Sequence, residues 1–336
     1  MADADNATKA PESDAHEKLT PQQKDAVVSG DTPTQTGPTN TMGEHCVTDR
    51  PTPSGQSSTG EIIKLNQVDV YVSKPADYPH APSKLLLLLT GGTGIKSTNN
   101  QIQADKFASE GFLVLMPDFL AGDTTPVAAA LSDDSASVLE QVKLKAVEVT
   151  KSFMIDMWLA RVTPDRVMPI LGRVLEAAQD QFPEAIKNGD GIYCVGYCVG
   201  ARFVLLLAQA GRDETGAGGD GGDEEAAGQA TKRKGPCIRA GALAHAASVT
   251  PDDFNNLKAP LSLVCVEDDP LFPDAVRTAA EDAMSKADLE HEVQVYPGVP
   301  HGESHFPDPI STHPMGSLLG VQSRNGQSIF ARYVMF

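Results

Sequence analysis

The sequence predicts an α/β protein, a mostly parallel sheet with helices on both faces. Three observations predict it. Apolar runs of strand length recur, and two of them, Leu85 to Leu89 and Ile192 to Val195, are continuous, as in strands buried on both faces. Helix-like stretches alternate with these runs, and such alternation builds a parallel sheet with right-handed crossovers. One strand-to-helix junction carries Gly196-x-Cys198-x-Gly200, a pattern that needs a tight turn between a buried strand and a helix.

Taken in order, residues 1–43 are rich in Thr, Pro, Ser, Asp and Gln and poor in large apolar residues, which predicts a disordered tail. The character changes around Glu44-His45-Cys46, and the folded domain is expected over 44–310. Val68 to Val72 alternates and stops at Lys74-Pro75, an early strand. Leu85 to Leu89 is the next, ending in the glycine-rich turn Thr90-Gly91-Gly92-Thr93-Gly94. A helix follows from Gln101 to Glu110, with Ile102, Phe107 and Ala108 inward and Gly111 as its stop. Phe112 to Met116 is a buried strand halted by Pro117-Asp118. Thr124 to Leu139, small and polar, reads as a surface excursion near the mouth of the site. Phe153 to Ala160 is apolar and helix-like; its Trp158 is expected to pack in the core or a lid. Thr163-Pro164 starts a helix to about Gln181, with Pro169 a candidate kink. Residues 211–236, dominated by Gly, Asp, Glu and Ala, read as a disordered surface insert. Ala240 to His245 and Pro260 to Val266 are strands, Asp274 to Ala287 a helix and His291 to Tyr296 a last strand. Residues 311–336 lack a sustained helical pattern and form an atypical tail.

The chain has 336 residues and a net charge of −18. That charge argues against nucleic acid or an acidic membrane as partner. Much of it lies in the tail and the insert, so it says little about the site. The five cysteines, Cys46, Cys194, Cys198, Cys237 and Cys265, are odd in number and irregularly spaced, which fits thiols in a reducing compartment and a cytoplasmic location. The N-terminus is acidic and lacks the apolar core of a signal peptide, and no apolar run reaches membrane-spanning length.

The chemistry concentrates at strand ends. Gly196-Tyr197-Cys198-Val199-Gly200 is a nucleophile elbow with cysteine in place of serine. Its turn aims the sulfur outward over a helix N-terminus, whose N–H groups and dipole favour a thiolate or an oxyanion. Asp269 stands just past a second strand and His301 just past a third. Nucleophile, acid and histidine in this order are those of the α/β-hydrolase fold, and loops at the carboxyl edge of one sheet can converge. The thiolate attacks a carbonyl, the imidazole carries protons and the carboxylate fixes its tautomer. The N–H groups of Val199 and of Gly92, in the Gly91-Gly92 turn, are the oxyanion donors.

These residues resemble the dienelactone hydrolase family, especially its fungal-type branch, over roughly 44–302. The resemblance rests on Gly196-Tyr197-Cys198-Val199-Gly200, on Pro117-Asp118 with Gly122-Asp123, on Asp269-Pro270-Leu271-Phe272-Pro273, and on Tyr296-Pro297-Gly298 leading into His301-Gly302. It implies an α/β-hydrolase fold, a Cys198–Asp269–His301 triad that cleaves small lactones or esters, and no metal or cofactor. Two departures stand out. Where bacterial members carry an acidic residue that helps orient the cysteine, this chain has Gly91. After His301-Gly302 the usual aromatic residue is replaced by Glu303-Ser304-His305.

Several positions admit two roles. Asp268 competes with Asp269 as the acid, and the D-x-x-Phe-Pro spacing favours Asp269. His245 ends a strand and is either a hydrogen-bonded wall residue or a substrate contact. Tyr197 and Arg202 line the pocket or simply pack and solvate. Cys194 belongs in the core. His301, Glu303 and His305 have the residue types of a metal cluster, without a helix to place them on one face. A non-catalytic scaffold or binding protein, and a redox-sensing Cys198, are the competing functional readings.

Overall fold

A computed structural model describes residues 55, 57–125, 153–210, 235–297 and 301. The expected tail over 1–43, most of the insert, the excursion beyond residue 125 and the segment after His301 lie outside them.

The frame is one eight-stranded sheet. Its strands are β1 (Glu61–Leu65), β2 (Val68–Ser73), β3 (Lys84–Leu89), β4 (Phe112–Pro117), β5 (Tyr193–Tyr197), β6 (Ala240–Ala244), β7 (Leu261–Val266) and β8 (His291–Tyr296), in spatial order β1-β2-β4-β3-β5-β6-β7-β8. β1, β2 and β4 pair antiparallel; β4, β3, β5, β6, β7 and β8 are parallel. The chain thus starts β3 in mid-sheet, adds β4 to one side, then crosses back and builds the other side strand by strand.

Five helices complete it: α1 (Thr98–Ser109), α2 (Pro164–Gln181), α3 (Pro183–Asn188), α4 (Val199–Ala208) and α5 (Asp274–Lys286). A short helical segment covers residues 153–159. The period-2 alternation of strands splits the core into two layers. Leu85, Leu87, Leu89, Leu113, Leu115 and Cys194 face one side, with α2, α4 and α5 packed on them through Leu171, Val174, Phe203 and Met284. Leu86, Leu88, Val114, Met116, Tyr193 and Val195 face the other, where α1 contributes Ala104, Phe107 and Ala108. A strand covered on both faces must be apolar at every position, which is why β3 reads Leu-Leu-Leu-Leu-Leu.

Local signals set most boundaries. α1 begins three residues before the sequence expectation because Ser97 caps it, accepting from the Asn100 N–H at 3.2 Å. Gly111, at φ 93°, ends that helix by turning the chain back into β4. α2 runs through Pro169 without interruption. The sequence reading missed β1. It is an edge strand with Ile62 exposed, and its hairpin turn uses Asn66 and Gln67, both at positive φ (44° and 69°), where Asn-Gly would have been recognisable.

Candidate active site

The parallel strands β4, β3, β5, β6, β7 and β8 all end at the same sheet edge, where the residues that follow them can converge. The β5–α4 junction is the sharpest. Cys198 has φ 52° and ψ −119°, a conformation a non-glycine residue adopts only when its surroundings impose it. The flanking glycines show what imposes it. A Cβ on Gly196 would lie 2.6 Å from Val204 Cγ2 and 2.7 Å from the Gly200 carbonyl oxygen. A Cβ on Gly200 would lie 2.5 Å from the Leu89 carbonyl oxygen. Strand and helix pack so closely that neither position tolerates a side chain. Cys198 caps α4, and Val199 is its first residue, so the thiol stands at the N-terminus of that helix.

The loop after β6 grips this elbow. The Cys198 N–H donates to the Ala244 carbonyl at 3.2 Å, and the Ala247 N–H donates to the Cys198 carbonyl at 3.1 Å. His245 sits between those two anchors at φ 37°, its own N–H donating to the Val264 carbonyl at 3.0 Å. Its ring stands against the Tyr197 ring on one side, centroids 5.8 Å apart, and edge-on to the His301 ring on the other, 5.2 Å apart.

Asp269 and His301 form a buried pair. His301 Nδ1 donates to Asp269 Oδ2 at 2.6 Å, and the second carboxylate oxygen accepts the Leu271 N–H at 2.9 Å. A carboxylate only accepts, so the pair places the imidazole proton on Nδ1 and the lone pair on Nε2. Asp268 is exposed and takes φ 55°, and this left-handed step turns the chain so that the next residue, Asp269, points inward. Of the two candidate acids, the one that meets His301 is Asp269.

Gly91 and Gly92 belong to the β3 loop on the opposite flank of the elbow. A Cβ built on Gly91 would touch Cys198 Cβ at 3.4 Å, so a side chain at 91 would start against the cysteine. The Gly91 carbonyl accepts the Gly94 N–H at 3.3 Å, which turns the Gly92 N–H to the other side of that trans peptide, away from the turn's interior. Thr125 holds the loop in this pose. Its backbone N–H (2.9 Å) and its hydroxyl (3.2 Å) both donate to the Gly92 carbonyl, and Thr125 is buried. The sequence reading missed Thr125, since a threonine in a polar stretch carries no local signal.

Other singled-out residues have structural partners. Arg202 reaches Asp253 at 3.3 Å, and Asp253 in turn caps its own turn by accepting from the Thr250 N–H (2.8 Å) and hydroxyl (3.0 Å). Arg202 therefore fixes the end of the β6 loop. Tyr197 is buried, with burial raising its phenol pKa and a hydrogen bond to Gln103 satisfying it. Cys194 is fully buried, and burial raises its thiol too. Trp158 is core: it is completely buried and donates Nε1–H to the Asp123 carbonyl at 2.6 Å. Asp123, from the Gly122-Asp123 motif, also takes both ends of the Arg161 guanidinium at 2.9 and 2.8 Å, tethering residues 153–159 to the loop after β4. Among the described residues no group of His, Cys, Asp or Glu could hold a metal ion; Glu303 and His305 lie outside them. No described helix is long and apolar enough to cross a membrane.

Comparison with known proteins gives this arrangement its context. The family model for the dienelactone hydrolase family matches residues 68–312, more than half of the chain. The chain belongs to the dienelactone hydrolase family. Among its curated relatives in that family, it is 26% identical to Hydrolase pyvD of Aspergillus violaceofuscus over 243 residues, 72% of this chain and 78% of the relative. It is likewise 26% identical to Dienlactone hydrolase 1 of Gibberella moniliformis over 253 residues, 73% of this chain and 77% of the relative. A Klebsiella pneumoniae crystal structure described as a dienelactone hydrolase superposes with TM-score 0.51 at 15% identity, covering 74% of this chain and 89% of that one. At that identity the likeness concerns the fold, and the dienelactone hydrolase family has the α/β-hydrolase fold found here. The protein is a hydrolase of this family.

Proposed function

We propose that this dienelactone hydrolase family member cleaves small lactones or carboxylic esters through Cys198, His301 and Asp269, by way of a thioacyl-enzyme. The buried 2.6 Å bond between His301 Nδ1 and Asp269, at the sheet edge that also carries the elbow cysteine, is the observation that supports this most. It leaves Nε2 as the basic nitrogen, the form a general base needs. His301 takes the Cys198 proton, and the thiolate attacks the carbonyl carbon. The carbonyl oxygen becomes an oxyanion that accepts from the Val199 and Gly92 N–H groups. The carbon–oxygen bond of the ester breaks, and the alkoxide leaves with the proton from His301. Water then attacks the thioester, giving its proton to His301; the carbon–sulfur bond breaks, the sulfur takes that proton back from His301 and the acid departs. Tyr197 and His245 form the wall beside the reacting centre on this reading. No metal or cofactor enters any step. A cytoplasmic location belongs to the same reading, since it keeps the nucleophilic sulfur reduced.

Activated aryl esters assayed on the wild type and on Cys198→Ala decide the matter. The variant should lose at least about a thousandfold in kcat. A small thiol-reactive electrophile should also label Cys198 far faster than Cys265, whose thiol pKa is pushed up to about 12 by burial. Equal turnover by the two proteins, or equal labelling of the two thiols, refutes the proposal and favours a non-catalytic binding role.

A further inference from the structure

We infer that His245 is a specificity residue, whose ring Nδ1 hydrogen-bonds an uncharged oxygen of the substrate, so that this enzyme prefers esters or lactones carrying a hydroxyl or carbonyl group near the scissile bond. The inference rests on the hydrolase reading above and adds the class of substrate.

Three observations converge on the residue. His245 is nine-tenths buried, and its Nδ1 has no hydrogen-bond partner on any other described residue, only a contact with its own backbone. A buried polar atom left without a partner is costly, and natural proteins keep one mainly where something else occupies it. The ring stands edge-on to the ring of His301, centroids 5.2 Å apart, so His245 lies beside the proposed reacting centre. The backbone is held at φ 37°, an unfavourable value for histidine, by the bonds that the loop makes to Cys198 and Val264. A core-filling role would need neither the strained backbone nor a ring nitrogen.

The surroundings also settle the charge of the group. Burial and the neighbouring His301 hold the His245 pKa down to about 3, with Asp269 and the residue's own backbone pulling the other way. Tyr197, on the remaining side, is neutral at working pH because its pKa is raised by burial. The ring is therefore uncharged at neutral pH and offers a hydrogen bond without an ion pair. It can recognise a hydroxyl or a carbonyl but gains little from a carboxylate.

A panel of aryl esters tests this, in which a hydroxyl, a ketone oxygen or a carboxylate is stepped along the acyl chain and compared with the unsubstituted ester at pH 7. In the wild type, a hydroxyl or ketone at one position should raise kcat/KM about 100-fold, because the unsubstituted ester leaves Nδ1 without a partner. The carboxylate should raise it less than threefold, because burying its charge near Asp269 with no cation to pair it offsets the hydrogen bond. His245→Leu should flatten the preference, whereas His245→Asn should retain much of it. Asn is isosteric with Leu, tolerates positive φ and places a neutral amide where Nδ1 stood. An unsubstituted preference profile in the wild type overturns the inference without any variant, and so does a preference for the carboxylate or one that survives in His245→Leu. Those results leave the hydrolase reading intact. Activity retained by Cys198→Ala overturns that reading instead, and the inference falls with it.

Discussion

The loops after β6 and β8 each deliver a buried histidine to the same sheet edge, and their rings touch, yet the two residues have opposite surroundings. His301 has a carboxylate on Nδ1 at 2.6 Å, and Asp269 is itself anchored by the Leu271 N–H. An imidazole so placed can take up a proton, because a negative charge is waiting beside it. His245 has no carboxylate on Nδ1 and faces the edge of another imidazole, so burial first and the neighbouring His301 second keep it neutral. On the proposed mechanism, what distinguishes the base from the wall residue is one carboxylate, delivered by a loop from a third strand.

Removing that carboxylate's charge is the most severe way to break the contrast. Asp269→Asn keeps the shape, but an amide can present its NH₂ to His301 and favour the wrong tautomer. A drop in kcat of roughly 10³–10⁴-fold is expected, with KM little changed. The same change in the exposed neighbour, Asp268→Asn, should be nearly silent. A loss of similar size at both positions would mean that the loop's fold, rather than the Asp269–His301 bond, is what matters.

A second change separates the two histidines by acid sensitivity. An unfolded histidine titrates near 6.5. In the folded protein His245 stays neutral down to about 3. Between those values the unfolded chain binds a proton that the native state refuses, so stability is full above about pH 6.5 and falls as the pH drops toward 3. Over the first 1.5 units that amounts to about 2 kcal/mol. His245→Asn removes this one titration. Urea unfolding at pH 7 and at pH 5 should show the wild type losing about 2 kcal/mol more than the variant. Equal losses would mean that the ring accepts its proton in place.

The sheet and the elbow were legible because each rests on local pattern. Continuous apolar runs marked β3, β4 and β5, and Gly196 and Gly200 marked the one junction where a Cβ cannot fit. β1 was not legible, because an edge strand with an exposed Ile62 lacks both alternation and a glycine turn. Asp269 and Asp268 could be ranked but not separated by sequence alone, since the left-handed step at Asp268 that turns Asp269 inward belongs to the loop's backbone. Thr125 was invisible for a further reason. Its bond to Gly92 joins two loops from neighbouring strands, and nothing near it in the chain announces the partner.

That bond yields the mildest test, one that touches neither histidine. The Gly92 carbonyl accepts two donors from Thr125, the backbone N–H at 2.9 Å and the hydroxyl at 3.2 Å. Thr125→Val deletes the longer one and keeps the shorter, in a residue of nearly the same shape. A typical hydrogen bond is worth about 1 kcal/mol net, so the expected loss is about fivefold. It should appear in kcat rather than KM, because on the proposed mechanism the Gly92 N–H meets the carbonyl oxygen most strongly once charge has developed on it. Thr125→Ser, which keeps the hydroxyl and loses only a methyl, should recover most of the rate. The pH dependence of both variants should overlay that of the wild type, since neither His301 nor His245 has changed its neighbours. If Val and Ser prove equally impaired, the methyl's packing and not the hydroxyl holds the loop, and a rise in KM without loss of kcat would place Thr125 in ground-state binding instead.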